Sequence, residues 1–507
     1  MDFIRNRGLF SDSLLNLGGH VIPMLVALVS LPVILSFYSL EQFGLLSLCW
    51  SLLGSFAYLD LGLGRATVKF IARLIVEEEF GKIRGVVWGS LLANGTVGII
   101  GSVVVLLGSS FLVSQVLNVA PHLSDEASVV FSITGFAIPL ITATAVLRGL
   151  LEAMQRFDVV NVIKAPSNAL VFIIPLAGAL LFWSLPMVVL LTVLSRFVTL
   201  LAYAMAALRY AGEAVSVNGI SFSGFREVLK FGGWITFSNV LTPVIAFSDR
   251  LILAALVPLE FVAFYTAPYE LISRLPVIPA SVAQALFPIV SRGGISDRGT
   301  DVPNLLIRVV KMLLIVMTPV TILVIAFSGE GLAIWLGNTW RNQSTIVLQL
   351  LAVGFFFHSF SYIYITAVQG SGRADLKAKL DVVLAGLTVA LCWGLVTLFG
   401  HEGAAVTKLV LFAADVSCLV VFTKSISGLS WGGVMPLELR RSIVWCLMAI
   451  AAAWALNAVI EDTGIRISAV MLLLAGLLWV LWRSIVLAND RMLIISLINR
   501  ISARYTR

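Results

Sequence analysis

Charge is scarce in this 507-residue chain. Asp, Glu, Lys and Arg together make up 12% of it, where a soluble domain carries about 25%. A water-facing surface of ordinary size cannot be built from that supply. Cysteine is scarce too: Cys49, Cys392, Cys418 and Cys446 are the only four. All fall inside apolar stretches without metal-ligand spacing, so they read as small packing residues, with no disulfide and no metal site expected. His20, His122, His358 and His401 are scattered, and none pairs with Cys or Glu at ligand spacing. A GxxxxGK phosphate loop is missing, so no nucleotide hydrolysis is expected. No polar stretch is long enough for a catalytic domain, the longest being about 209–230. The first apolar run is too long for a signal peptide and no small-residue cleavage site ends it.

What fills the chain is apolar sequence. Hydrophobic residues make up 59%, and the mean hydropathy is +1.02. Apolar stretches of about 20 residues match the thickness of a bilayer core. They fall at roughly 14–37, 43–64, 85–108, 128–148, 166–183, 187–208, 231–257, 261–290, 305–327, 343–369, 381–399, 404–424, 441–459 and 467–488. Lipid offers no partner for open backbone groups, so each is read as a helix. The expected fold is an all-α polytopic membrane protein with about fourteen transmembrane helices.

The cations then fix an orientation. Of the 34 Lys and Arg, 28 lie at the amino end, in the gaps after even-numbered spans or in the tail from 483. The opposite gaps hold Arg341 and Arg466, leaving Arg196, Arg250, Arg274 and Lys408 at membrane depth. The positive-inside rule places both termini in the cytoplasm, as an even number of spans requires. The net charge of +7 is therefore a topological bias and not a nucleic-acid footprint. The tail 489–507 reads as an interfacial helix, with Leu493, Leu497 and Ile501 opposite Arg491, Arg500 and Arg504.

The two halves echo each other. Gly18-Gly19 and Gly232-Gly233 open the first and seventh spans, and Leu40-Glu41 and Leu259-Glu260 precede the second and eighth. Both copies begin on the same side, which suggests a parallel repeat of the kind used in rocking transport. The stretch FGLLSLCWSLLGSFAYLDLGLGRATVKFIAR (43–73), supported by SDRLILAAL (248–256), YTAPYELISRLP (265–276) and QALFPIVSR (284–292), resembles the bacterial polysaccharide transporter family. These are the Wzx-type flippases of lipid-linked oligosaccharides, in one superfamily with multidrug and toxic-compound extruders. The resemblance covers roughly 14–424. It implies two six-helix lobes around a central cavity plus a C-terminal helix pair, here 1–210 and 231–424 joined by a cytoplasmic linker at 211–230. The pair would occupy 425–488 and the cytoplasmic tail 489–507.

The resemblance further implies a transporter, not an enzyme, for a polyprenyl-diphosphate-linked oligosaccharide of an O-antigen, capsule or exopolysaccharide, acting in the bacterial inner membrane. Membrane lipids surround it, and a glycan polymerase and a chain-length regulator would be pathway partners. Such cargo calls for cations toward the diphosphate and a wet path for sugar. Charges at membrane depth usually face a cavity or one another, so the substrate-binding candidates are Arg65, Arg196, Arg250, Arg274 and Lys408. Glu270 and Arg274 share a helix face at i,i+4, either as a self-neutralised pair or as a pair that exchanges its carboxylate for phosphate. Arg196 has no carboxylate at i±4, and reads as a cavity cation or a packing residue. Asp249 and Arg250 point about 100° apart on a helix and need different partners. Asp60 and Arg65 flank the glycines of LGLG, and Lys408 and Asp415 lie two turns apart on one face, suited to a charge-stabilised contact with another helix or to a cavity role. Asp60, Asp249, Glu270 and Asp415 are the ion-coupling candidates. No cofactor is called for beyond coupling to a proton, sodium or the membrane potential.

Three other functions stay open. A cation-coupled drug extruder is disfavoured because the first span carries Asn16 and His20 but no acid. A peptidoglycan-precursor flippase is poorly discriminated. A membrane-embedded glycan polymerase would need a larger outer loop than 109–127. The topology is testable directly: a reporter fused after residue 115, 338 or 462 is expected outside, and one after 220, 297 or 507 in the cytoplasm. Positions 297 and 338 reporting the same side would overturn the span assignment in the second half.

Overall fold

The computed structural model of the chain describes residues 23–58, 68–215, 241–293 and 302–485, apart from 24, 69, 70, 76, 78, 242 and 243. Asp60, Arg65, the expected linker 211–230 from residue 216 on, the first residues of the expected seventh span (231–240) and the tail 489–507 lie outside the described residues. All regular structure among the described residues is helical. In chain order the helices are α1 (Leu25–Phe37), α2 (Leu40–Tyr58), α3 (Phe80–Phe111), α4 (Ser124–Gly135), α5 (Ala137–Ala153), α6 (Phe157–Leu180) and α7 (Leu185–Val215). Then come α8 (244–256), α9 (Leu259–Ile272), α10 (Val277–Gly293), α11 (Val302–Ala326), α12 (Ser328–Leu336) and α13 (Asn338–Gly370). The last are α14 (Ala374–Ser427), α15 (Leu437–Val459) and α16 (Thr463–Ile485). Among the described residues nine helical segments are long and apolar enough to cross a membrane, or ten with α9 and α10 taken as one broken span.

Proline and glycine punctuate these helices where the sequence places them. Pro258 and Pro436 stand immediately before α9 and α15, where their fixed φ suits a helix start. Gly428 closes α14 in the left-handed region with its N–H on Lys424 O, a common glycine helix end. At 54 residues α14 would be about 80 Å long if straight, more than twice a bilayer core. It is broken at Gly400 (φ 58°, ψ −137°), which divides it between the two expected spans 381–399 and 404–424. Gly403 makes the reversal possible: a Cβ there would lie 2.1 Å from the Leu395 carbonyl oxygen.

Lipid acts as the solvent of the outer surface. Val104 and Leu107 of α3 and Leu472 of α16 are largely exposed, whereas a water-soluble protein rarely shows large contiguous apolar patches. The chain divides into two compact units. The first comprises Met1–Val277 with Ala378–Leu411, and the second Ile278–Lys377 with Phe412–Arg507.

Within the first unit, Ile83, Val87, Leu150, Val160 and Tyr203 belong to one buried apolar cluster joining α3, α5, α6 and α7. Helices α2 and α9 meet where Gly44 faces Leu259; a Cβ on Gly44 would lie 2.2 Å from the Leu259 carbonyl oxygen. Within the second unit, the two C-terminal helices are tied down at the end of α11. Asn457 of α15 donates to Ala326 O at 2.9 Å. Arg466 of α16, buried, donates to the same carbonyl at 3.2 Å and pairs with Glu330 of α12 at 3.0 Å.

These close approaches give a stability test. Gly403→Val is expected to lower the yield of folded protein in detergent, at a cost of about 2–4 kcal/mol from backbone overpacking. Gly386→Val, at a glycine with nothing within 4 Å of the added Cβ, is the control expected to fold normally. Equal thermal stability of the two variants would contradict the tight reversal.

Candidate functional site

The first unit places most of its membrane-depth charges in one network. Asp249 and Arg250 are adjacent on α8, and the 100° between them sends them to different partners. Asp249 is 0% exposed, Arg250 2% and Lys408 1%. Lys408 lies 3.3 Å from Asp249 Oδ2, and its Nζ also donates to the Ile245 and Ala246 carbonyls at 2.6 and 3.2 Å. The Tyr265 hydroxyl donates to the same Asp249 oxygen. On the other side, Arg250 Nη2 donates to Glu270 Oε1 at 3.1 Å and its Nη1 to Ser51 Oγ at 3.1 Å. Arg274, in the short break after α9, donates to the second Glu270 oxygen at 3.0 Å. The Arg250 guanidinium stacks 4.4 Å from the centre of the Tyr269 ring.

Glu270 thus serves two arginines, not only Arg274 as the i,i+4 spacing suggests. Lys408 pairs with Asp249, and Asp415 with Lys377 at 3.0 Å. Each of the two thus has a partner of its own: Lys408 on α8, and Asp415 on the part of α14 that precedes the Gly400 break. These ion pairs are mostly buried, so each leaves a costly charge behind if its partner is removed.

Arg196 is in a different place. It sits on α7 against a cavity of about 280 Å³ in the first unit, whose lining also includes Trp50, Arg148, Lys164, Asn168 and Tyr203. Three cations line this cavity and no carboxylate does. Arg148 has a partner beyond the rim, Glu152 at 3.5 Å, with both side chains more than a third exposed or close to it. Lys164 and Arg196 make no ion pair among the described residues. The Arg196 Nε and the Trp50 indole N–H are both buried without a hydrogen-bond partner. Trp50 is fixed edge-on against Phe172 and Phe43, at centroid distances of 5.2 and 5.9 Å. Ser167 and Thr199, hydrogen-bonded to each other at 2.9 Å, add hydroxyls to the wall.

Arg148 and Lys164 were hidden in the sequence among the cations of the gap 148–165. Helix α6 starts at Phe157, so Lys164 is two turns inside it. The available signal was helical spacing: Lys164, Ser167, Asn168 and Val171 recur at the interval of one helix face, and all four line the cavity. Asp60 and Arg65 lie outside the described residues. Among the described residues no group of three or more His, Cys, Asp or Glu is placed to hold a metal ion.

Residues 9–293 match the family described as polysaccharide biosynthesis protein, a span that covers more than half of the chain and reaches from α1 through α10. The chain belongs to this family. A relative from Shigella flexneri, provisionally named an O-antigen transporter, is 28% identical over 401 residues, covering 79% of this chain and 94% of the relative. Among solved structures, an inward-facing multidrug resistance MATE family transporter of the MOP superfamily superposes with a TM-score of 0.67 at 15% identity, over 86% of this chain and 98% of the other. The lipid II flippase MurJ in an inward closed conformation gives 0.67 at 12% identity, over 94% and 99%. This family member therefore has the all-helical fold of those transporters, and the identities carry the likeness no further than the fold.

The network makes a prediction about folding. Glu270→Gln leaves Arg250 and Arg274 facing a neutral amide, and Lys408→Met leaves Asp249 buried without a cation. Each is expected to cost about 3–5 kcal/mol and to lower the melting temperature in detergent. Combining Asp249→Asn with Lys408→Met removes both charges and is expected to recover most of the loss. Single variants as stable as the unchanged protein would show that these pairs do not hold the first unit together.

Proposed function

We propose that this chain is a flippase that moves a polyprenyl-diphosphate-linked oligosaccharide, the repeat unit of an O-antigen, capsule or exopolysaccharide, from the cytoplasmic to the outer leaflet of the bacterial inner membrane. Family membership and the relative from Shigella support the cargo class. The observation that carries the reading is the cavity of the first unit, whose charged lining is all cationic: Arg148, Lys164 and Arg196 stand with hydroxyls among apolar side chains such as Leu53, Ile141 and Val171, and no acid lines it. Such a lining attracts an anionic, hydroxyl-rich headgroup and repels the organic cations that a drug extruder would carry. The headgroup is too hydrated to cross hydrocarbon unaided, so the reading includes alternating access, with the wet space open to one side of the membrane at a time. Both termini lie in the cytoplasm on this reading, and the step draws on a proton, sodium or the membrane potential, which is worth about 2.3 kcal/mol per charge at 100 mV. A glycan polymerase and a chain-length regulator act downstream on the flipped product.

The test is loss and rescue. In cells lacking the chain, lipid-linked oligosaccharide is expected to accumulate in the inner leaflet and the surface glycan to disappear. Both should return when the chain is supplied, with no change in ethidium efflux. Normal surface glycan in the deletion strain, or rescue of drug resistance without rescue of glycan, would overturn this reading.

A further inference from the structure

We infer that the cavity bounded by α2, α5, α6 and α7 is a diphosphate seat, with Arg196 and Lys164 as its two principal cations, the Trp50 indole N–H as a third donor and Arg148 at its edge. The inference deepens the proposed function and rests on it for the identity of the lipid. It starts from a difference between the two groups of cations in the first unit. Arg250, Arg274 and Lys408 each have a carboxylate oxygen within 3.3 Å. Lys164 and Arg196 have none among the described residues, and Arg148 has only the long contact to Glu152 at the rim.

A cation at membrane depth without a counterion is expensive and needs water or an anionic ligand. The unmet groups here are all donors. The Arg196 Nε–H and the Trp50 Nε1–H are buried with no acceptor, and a protein wall without acids offers no strong one. What fits is a ligand with several acceptor oxygens and negative charge. Each phosphorus of a diphosphate diester keeps one ionised oxygen, so Arg196, with no carboxylate beside it, and Lys164, which feels Glu152 only at a distance, match it one for one. The guanidinium fork suits a phosphate in two-point contact, whereas Lys164 acts as a point charge. Asn168 and the hydroxyls of Ser167 and Thr199 stand along the same wall, where a sugar joined to the diphosphate would meet them.

The paired cations are not ligands of this seat. Arg274 and Arg250 are already bound to Glu270, so displacing it by phosphate would leave a carboxylate facing an anion. Lys408 is fully buried and spends its donors on Asp249 and two carbonyls.

Farnesyl diphosphate is the probe, added to the purified full chain in lipid nanodiscs, with farnesyl monophosphate, farnesol and inorganic pyrophosphate alongside. The unchanged chain is expected to bind the lipid diphosphate at least tenfold more tightly than the monophosphate, and farnesol not at all. Arg196→Gln and Lys164→Gln should each weaken diphosphate binding tenfold or more and erase the preference over monophosphate. Arg196→Lys should keep part of it. Trp50→Phe, which keeps the ring contacts and removes the N–H, should weaken it several-fold. Arg274→Gln should leave the affinity within about twofold. Comparable tightness for inorganic pyrophosphate would assign the seat to free phosphate and overturn the lipid headgroup as its ligand. Unchanged affinity in both the Arg196 and Lys164 variants, with loss in the Arg274 variant, would overturn the seat itself. The two readings fail separately: diphosphate binding through Arg196 without glycan rescue defeats the proposed function, and rescue by variants that bind as the unchanged chain does defeats the seat.

Discussion

A charge surrounded by hydrocarbon must find a countercharge or water, and most of what distinguishes this molecule follows from how each buried cation meets that demand. In the first unit there are two solutions. Lys408, Arg250 and Arg274 share two carboxylates, Asp249 and Glu270, and are held within 3.3 Å of them. The network draws its members from α8, α9 and the region after the Gly400 break, with Ser51 of α2 contributing a hydroxyl. Its ion pairs therefore link helices that are distant in sequence, and their strength goes into the fold. Lys164 and Arg196 take the other solution. They line an open volume, so their charge is available to something that enters it.

The backbone obeys the same constraint as the side chains. Helices are the elements that satisfy their own peptide groups in lipid, so every departure needs a local reason. Gly400 supplies a positive φ at the reversal of the long apolar stretch after Ala374. Gly44 lets α2 approach the carbonyl end of Leu259 so closely that no side chain fits between them. In the second unit Arg466 substitutes for solvent, taking the Ala326, Ile460 and Glu461 carbonyls and Glu330 onto one guanidinium. Five donors in a planar fork make arginine suited to that task.

The fold class was legible because lipid solvation leaves a coarse signature: long apolar stretches, scarce charge and cations gathered in alternate gaps. Local pairings were legible too. The Glu270–Arg274 contact follows from spacing along one helix, and the divergence of Asp249 and Arg250 follows from helix geometry. What could not be read was partnership across the chain. Nothing near Lys408 announces that its carboxylate is 159 positions away. The cavity escaped for a different reason. Because the start of α6 is polar, Lys164 reads as one of the cations of a gap, and only the helical recurrence of Ser167, Asn168 and Val171 distinguishes a wall residue from a loop residue there. Element ends are set by a turn or two of marginal helix, and α6 begins nine residues before the expected span, which puts Lys164 inside a helix and not in a gap.

The two solutions to buried charge also bear on how a carrier avoids leaking. Closing the cavity while empty would strip water from Lys164 and Arg196 with nothing to replace it, at several kcal/mol for each ion. Closing it around a diphosphate would pair both. A ligand shifts a conformational equilibrium only by its differential affinity for the two states, and an occupied seat would supply that difference through the charges themselves. A tenfold bias toward the loaded closed state takes about 1.4 kcal/mol, a fraction of the cost of one unpaired ion. The carboxylates of the neighbouring network sharpen this logic. Had Asp249 or Glu270 faced the cavity, the cations would be satisfied without cargo and the empty form could close as readily as the loaded one. Keeping both acids occupied elsewhere is what leaves the seat dependent on its substrate.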